Sequence, residues 1–257
     1  MGTHTLCITT LERGNERTKN NRVIRVIRAN IIEENVMTHY KNYRQLRKCE
    51  QEGADYQIHF HERSSGMLIM APHGGCIEPG TTEIAHAVAG KEHSIYCFEG
   101  LKDRDNNTLH ITSTHFDEPI ALKLAGKAWS ILALHGCRDD KPIIYLGGKD
   151  GILSEKIRNT LEETGIPVGE NPRFPGRHPN NICNRNFRGE GVQMEISLAL
   201  RRLMFDDLKR NSREPRGELF HNIILAVRRA MANYLVSERK ACSDRISDCG
   251  LRNHARP

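Results

Sequence analysis

The chain has no run of about 18 to 20 apolar residues, the length a membrane-spanning helix needs, and its mean hydropathy is −0.57. A helical membrane protein is therefore excluded. None of its eight cysteines forms a C-x-x-C pair, which removes the zinc ribbon and the thioredoxin-type redox motif. Several sit inside apolar runs such as IYCF around Cys97, where a reduced thiol behaves as a small hydrophobe. H-E-x-x-H is absent too, so any metal hydrolysis must use another ligand pattern. The opening GTHTLCITTLERGNERTKNNR lacks the long apolar core of a secretory signal. A cytoplasmic protein with reduced thiols is expected.

The excess of positive charge is local. Of 38 Lys+Arg and 32 Asp+Glu, 11 and 5 lie from Lys209 onward, leaving 27 of each upstream. The net +6 thus belongs to the C-terminal segment, and pI alone does not argue for an anionic partner at a central site.

At 257 residues the chain can bury one sizeable core. Residues 1–36 read as an extension, with RVIRVIRANII as a competing edge strand. Residues 37–240 carry the domain pattern, and 241–257 lack a core pattern and are expected to be frayed. Within the domain YKNYRQLRKCEQEG reads as a helix closed by Gly53, and DYQIHFHE alternates as a half-buried strand. MLIMA, SIYCFEG, LHITSTH, WSILALHG and PIIYLGG are short apolar runs bounded by Gly, Pro or Asp. Helical patterns lie between or after them, including TTEIAHAVAG, GILSEKIRNTLEETG and QMEISLALRRLMFDD. This alternation predicts a single-domain α/β fold, a mixed, mostly parallel twisted sheet flanked by helices.

In such sheets functional groups gather where strands end. His73 follows MLIMA and His135 follows WSILAL, each trailed by glycine, and Glu78 lies five residues past His73. Two ligands on a short glycine-containing loop and a third from another strand match a catalytic zinc set of His, Glu and His. A histidine at a strand end is also an ordinary hydrogen-bonded structural residue. Glu195, in GEGVQMEISLALRR, is a carboxylate in an apolar segment. It suits a general base or a salt bridge to Arg201 or Arg202; Glu190 is the alternative base. The loop RFPGRHPNNICNRNFRGEG supplies Arg173, Arg177, Arg185 and Arg188, groups that grip carboxylates through paired hydrogen bonds or solvated loop cations.

APHGGCIEPGTTEIA, YCFEGLK, LHITSTHFDEP, LALHG and NICNRNFRGEGVQMEIS, in that order from about Tyr40 to Phe205, together resemble the poly-γ-glutamate hydrolase family of phages and bacteria. The resemblance implies a zinc carboxypeptidase-like fold and one Zn2+ held by His73, Glu78 and His135. It implies Glu195 as the general base, and Asn184 with Arg185 gripping a substrate carboxylate. It adds His110 and His115 as supporting residues around the ligands; Arg177 or Arg188 as the group that steadies an oxyanion is a reading of the loop's own residues. The family's PHGGGIE reads PHGGCIE here, with Cys76 in place of the third glycine. The expected activity is zinc-dependent hydrolysis of γ-glutamyl amide bonds in an anionic polymer or peptide. The protein is expected to be a monomer, reaching substrate by cell lysis if phage-encoded. Amidohydrolysis of N-acyl amino acids or γ-glutamyl cell-wall peptides is the alternative on the same scaffold. A nucleic-acid-binding phage protein using the basic tail would leave the His-Glu-His-Glu set unexplained, so no nucleic-acid or membrane partner is expected.

Overall fold

The computed structural model describes residues 39–210, 212–215 and 217–252; the expected extension at 1–36 lies outside them. The chain order is α1 (Tyr43–Leu46), β1 (Tyr56–His61), β2 (Met67–Gly75), α2 (Thr81–Ala89), β3 (Ser94–Gly100), α3 (Pro119–Lys127), β4 (Ser130–Cys137), β5 (Ile144–Gly148), α4 (Gly151–Glu162), β6 (Val168–Gly169), β7 (Val192–Ser197), α5 (Leu198–Met204) and α6 (Gly217–Arg252). Short 3-10 turns occupy Asn106–Leu109 and Ile182–Asn184.

The seven strands form one sheet in the order β1-β3-β2-β4-β7-β5-β6. Only β1 against β3 and β5 against β7 are antiparallel; the other pairings are parallel. A mixed, mostly parallel α/β sheet is what the alternation of runs predicts. Helices cover both faces. Ile69, Leu132, Leu134, Met194 and Ile196 pack on one face with α2, α4, α5 and α6. Leu68, Met70, Ile131 and Ala133 pack on the other with α1, α3 and the Ile182 turn. Burial on both sides explains why β2 is an unbroken apolar run with every residue buried. No described helix is long and apolar enough to cross a membrane.

Helix starts are written in the side chains. Glu118 caps α3 by accepting from the Ile120 and Ala121 amides, and Pro119 occupies its first turn. Asp150 caps α4 through the Leu153 amide, and Ser197 caps α5 through the Leu200 amide.

Four segments differ from their predicted form. LHITSTH is no strand: after the turn at Asn106–Leu109 the chain crosses the end of the sheet as a loop. The helix predicted from Tyr40 to Gly53 is one turn, Tyr43–Leu46. QMEIS belongs to strand β7 and only the following residues form helix α5. The run's helical period misled because a strand buried on both faces shows no alternation. Finally, α6 continues to Arg252, beyond the point where the chain was expected to fray.

Candidate active site

The site lies on one face of the sheet at the carboxyl ends of β2, β4 and β7. Two of its residues reach it by simple alternation: Ile131, Ala133 and His135 share a face of β4, and Gln193, Glu195 and Ser197 share a face of β7. His135 and Glu195 stand directly opposite one another across the pair.

His73 needs a correction to its register. Met67, Ile69 and Ala71 of β2 point to the opposite face, and strict alternation would send His73 after them. The pairing with β3 shifts between Ala71 and Gly74, one extra residue in β2, and this bulge turns His73 back toward His135. The glycines after it are required sterically. A Cβ on Gly74 would overlap the Thr82 hydroxyl. Gly75 has φ +64, and a Cβ there would lie 2.5 Å from the Gly100 carbonyl oxygen. The sharp approach of this loop to β3 returns the chain so that Glu78 faces His73.

The donor atoms converge on one point. His73 Nδ1 lies 3.1 Å from Glu78 Oε1 and 3.1 Å from His135 Nδ1, and His135 Nδ1 is 3.6 Å from Glu78 Oε2. His73 Nε2 is 2.7 Å from the Ile111 carbonyl, which only accepts, so the Nε2 atom carries the proton. Burial, with the neighbouring His110 and His135, pulls His73 down to about 4 despite Glu78; the ring is neutral and its Nδ1 is a bare lone pair. Burial opposes ionisation of Glu78, but the surrounding His73, His110 and His135 hold its carboxyl well below the usual range. A lone pair thus faces an anionic oxygen at hydrogen-bond distance with no proton between them. Burial also disfavours charge on His135, but Glu78 and Glu195 outweigh it and raise its pKa. That shift favours a proton on His135, whose Nδ1 lies 3.1 Å from His73 Nδ1.

A metal cation fits the same point. Bonds of about 2.0 to 2.2 Å in tetrahedral geometry put ligand atoms roughly 3.3 to 3.6 Å apart, so the donors, 3.1 to 3.6 Å apart, need open by only a few tenths of an ångström at most to take one. Glu78 Oε2 also accepts from the Gly136 amide at 2.9 Å, and the Ile111 carbonyl fixes the His73 tautomer, as ligand-orienting partners do. His110 Nε2 is 3.6 Å from Glu78 Oε1, so His73, Glu78 and His110 also form a compact donor group. The His110 ring lies 3.8 Å from that of His73, tilted by 31°. The His135 ring is turned 60° to His73 and brings its Nδ1 to 3.1 Å from His73 Nδ1. His135 and His110 thus both bring a ring nitrogen within reach of the His73–Glu78 pair.

Glu195 is buried and accepts from Gln193 Nε2 at 3.0 Å. Gln193 Oε1 in turn accepts from Asn181 Nδ2 at 2.8 Å. Burial, assisted by Glu78 and opposed by His135 and Arg201, lifts Glu195 to about 7. The salt bridge to Arg201 or Arg202 does not form. The buried Arg201 guanidinium donates to the carbonyls of Pro79, Cys137 and Ile196, tying together the segments that follow Glu78, His135 and Glu195; Arg202 is exposed.

The other predicted residues are dispersed. Asn184 is spent on structure: its amide donates to the Gly176 and His178 carbonyls and its oxygen accepts from the Gly191 amide. Arg185 is exposed and makes no side-chain hydrogen bond among the described residues. Among the described residues Arg177 pairs with Glu170 alone, both 68 % exposed, a contact worth little. Arg173 is exposed. Arg188 is not at the site. It binds Asp150, Tyr234 and Glu190 and lies over Trp129, at the start of β4, about 16 Å of strand from His135; Glu190 is there with it. His115 is exposed and touches none of the ligands. Ser113, whose hydroxyl lies 3.5 Å from His135 Nε2, and the Asn181–Gln193 relay escaped the sequence reading. Gln193 alone left a signal, two residues before Glu195 on one strand face.

Residues 40–226 match the family described as poly-gamma-glutamate hydrolase. The chain is 40% identical over 177 residues to the UPF0714 protein YndL of Bacillus subtilis (strain 168), covering 68% of this chain and 69% of that protein. It is 36% identical over 194 residues to the UPF0714 protein YmaC of the same organism, covering 74% and 82%. Among solved structures it superposes on a bacteriophage poly-gamma-glutamate hydrolase with TM-score 0.75 and 35% identity, covering 77% of this chain and 98% of that one. A zinc-free apo form of YNDL matches with TM-score 0.73 and 37% identity, covering 76% and 98%. With nearly three quarters of its length aligned, the chain belongs to the poly-gamma-glutamate hydrolase family.

Proposed function

We propose that this protein hydrolyses γ-glutamyl amide bonds of poly-γ-glutamate, using one zinc ion held by His73, Glu78 and His135. The observation that carries the proposal is the lone pair of His73 Nδ1 set 3.1 Å from the ionised Glu78, an arrangement that calls for a shared cation. Zinc bound there supplies a Lewis acid for the scissile carbonyl and an acidified water.

The protein's own groups do the rest. Glu195 takes the proton from the attacking water and delivers it to the leaving nitrogen as the C–N bond breaks. A carboxylate lifted to about 7 is basic enough to take that proton and acidic enough to return it. Gln193 and Asn181 hold the Glu195 carboxylate in place, and Arg201 keeps the three strand ends in register. Arg185, unpaired and exposed beside the buried Asn184, is the group available to a substrate carboxylate; Asn184 positions its loop.

The test is incubation of the purified, zinc-loaded protein with poly-γ-glutamate, followed by polymer length, alongside N-acyl glutamates and γ-glutamyl peptides. Shortening of the polymer that stops on chelation and returns with zinc is expected. Cleavage of the small substrates with an intact polymer would refute the substrate assignment.

A further inference from the structure

We infer that the opposite face of the sheet carries a second metal site, formed by His86, Cys97 and Glu99 with His59 as fourth ligand, that takes a zinc-class cation.

The placement follows from alternation. Tyr96 and Phe98 of β3 pack on the face that carries His73 and Glu195. Cys97 therefore points to the far side, and Glu99, two residues on, shares that side. β1 is antiparallel to β3 with His59 directly opposite Cys97, so the two side chains are neighbours on one face. His86, from α2, lies over them with its ring 4.8 Å from that of His59. One donor atom each from His86, Cys97 and Glu99 fall within 4.8 Å of one another.

The chemistry of the set is selective. Two imidazoles, a thiol and a carboxylate are an N, N, S, O set of the kind that suits zinc and excludes calcium or magnesium, which want oxygen. Neither imidazole hydrogen-bonds to a described residue, so their lone pairs are not committed elsewhere. Partial burial of the ring and the nearby His59 lower the pKa of His86, favouring the neutral form a ligand requires. Glu99 is already oriented: Gln57 Nε2 donates to its Oε2 at 2.8 Å. Cys97 is buried at the base of the cluster, while His59 and His86 are exposed at its rim, so a cation enters from solvent. Burial and the nearby Glu99 raise the Cys97 thiol pKa, so its proton leaves to solvent only as the metal–sulfur bond forms. Such an ion would clamp edge strand β1 and helix α2 onto β3, behind the strand pair that shapes the His73 loop.

The test is titration of the metal-stripped full-length protein with Co2+, read by the sulfur-to-cobalt charge-transfer absorption. The band is expected in the parent protein, in His73→Ala and in Cys76→Ser. Cys97→Ser should abolish it, and His86→Ala, an exposed and structurally mild change, should weaken apparent affinity by about tenfold or more. Zinc content should be two per chain in the parent protein and one in His86→Ala. Absence of the band in the parent, or its survival at full affinity in Cys97→Ser or His86→Ala, would overturn the site. A band lost in Cys76→Ser alone would overturn it as well, by moving the sulfur ligand to the His73 loop. A single zinc lost in His73→Ala refutes only the second site. A single zinc lost in His86→Ala and kept in His73→Ala supports it and refutes the ligand set at His73.

Discussion

The two ends of strand β4 make an instructive pair. At its start Ser130 and Trp129 meet a buried polar cluster around Asp150; at its end His135 meets another around Glu78. Both remove a carboxylate from water. Asp150 is fully answered: Oδ1 accepts from the Leu153 amide, and Oδ2 accepts from Ser130, Tyr234 and Arg188. Every acceptor there faces a donor, and the cluster fastens α4, α6 and the Arg188 loop to the sheet. At the other end the acceptor of one neutral ring faces an anion, and a second ring crowds the same point. A buried carboxylate with donors on both oxygens is architecture, and one beside a bare lone pair is a candidate site.

The comparison breaks most sharply if the ligands are removed. His73→Ala or His135→Ala should eliminate polymer cleavage and bound zinc together while leaving the fold intact, measured by metal analysis and circular dichroism. Affinity for zinc should also fall as pH drops, because His135 must give up the proton that its raised pKa favours. Retention of zinc in both variants would make the lower end as structural as the upper one.

Glu195→Gln should lower kcat by about 10²- to 10⁴-fold with zinc retained. It also yields a test in the metal-free protein. Because the folded Glu195 binds its proton up to about 7, against about 4.3 in an unfolded chain, the folded state holds more protons between these values. Stability contributed by this group is therefore present at low pH and lost as pH rises through about 7. Urea unfolding of the metal-free protein from pH 5 to 8 should show that decline, and Glu195→Gln should flatten it.

Asp150→Ala should do the opposite kind of damage. Loss of a helix cap and of the charge facing Arg188 should cost about 3 kcal/mol of stability, read by denaturant midpoint. The kcat of the molecules that remain folded should be unchanged. A fall in kcat at full folding would mean that the two ends of β4 communicate.

Much of the lower end was legible in the sequence, and for definable reasons. Apolar runs ending in His-Gly or leading into a carboxylate single out His135 and Glu195; that they face each other on adjoining strands was not legible, because the Glu195 segment reads as a helix. His73 was found for an incomplete reason. The glycines after it announce a turn, but the bulge that aims it at His135 depends on pairing with β3, which no local pattern encodes. Arg188 and Asn184 show the converse. A loop rich in Arg and Asn reads as substrate-binding, yet both side chains serve the loop's own buried contacts, Arg188 with Asp150, 38 residues away in sequence. Partners so distant cannot be inferred from composition. The carbonyl of Ile111, which sets the tautomer of His73, is invisible because every residue has one.

The smallest effect should come from Gln193, and it separates positioning from mere packing. Its side chain donates to Glu195 and, with His135 and Arg201, opposes the rise that burial imposes on that carboxyl. Gln193→Leu removes one hydrogen bond to a charged group, about 1.5–3 kcal/mol, and leaves the zinc ligands untouched. The carboxylate loses the donor that favours its charged form, so its pKa should rise further and the acid limb of kcat/KM should move to higher pH. A variant that only loosened the strand would lower the rate at every pH without moving the limb. An unmoved limb would assign Gln193 to the same class as Asn184, a polar side chain answering its neighbours; a moved one would extend the reactive end of β4 through Gln193 to Asn181.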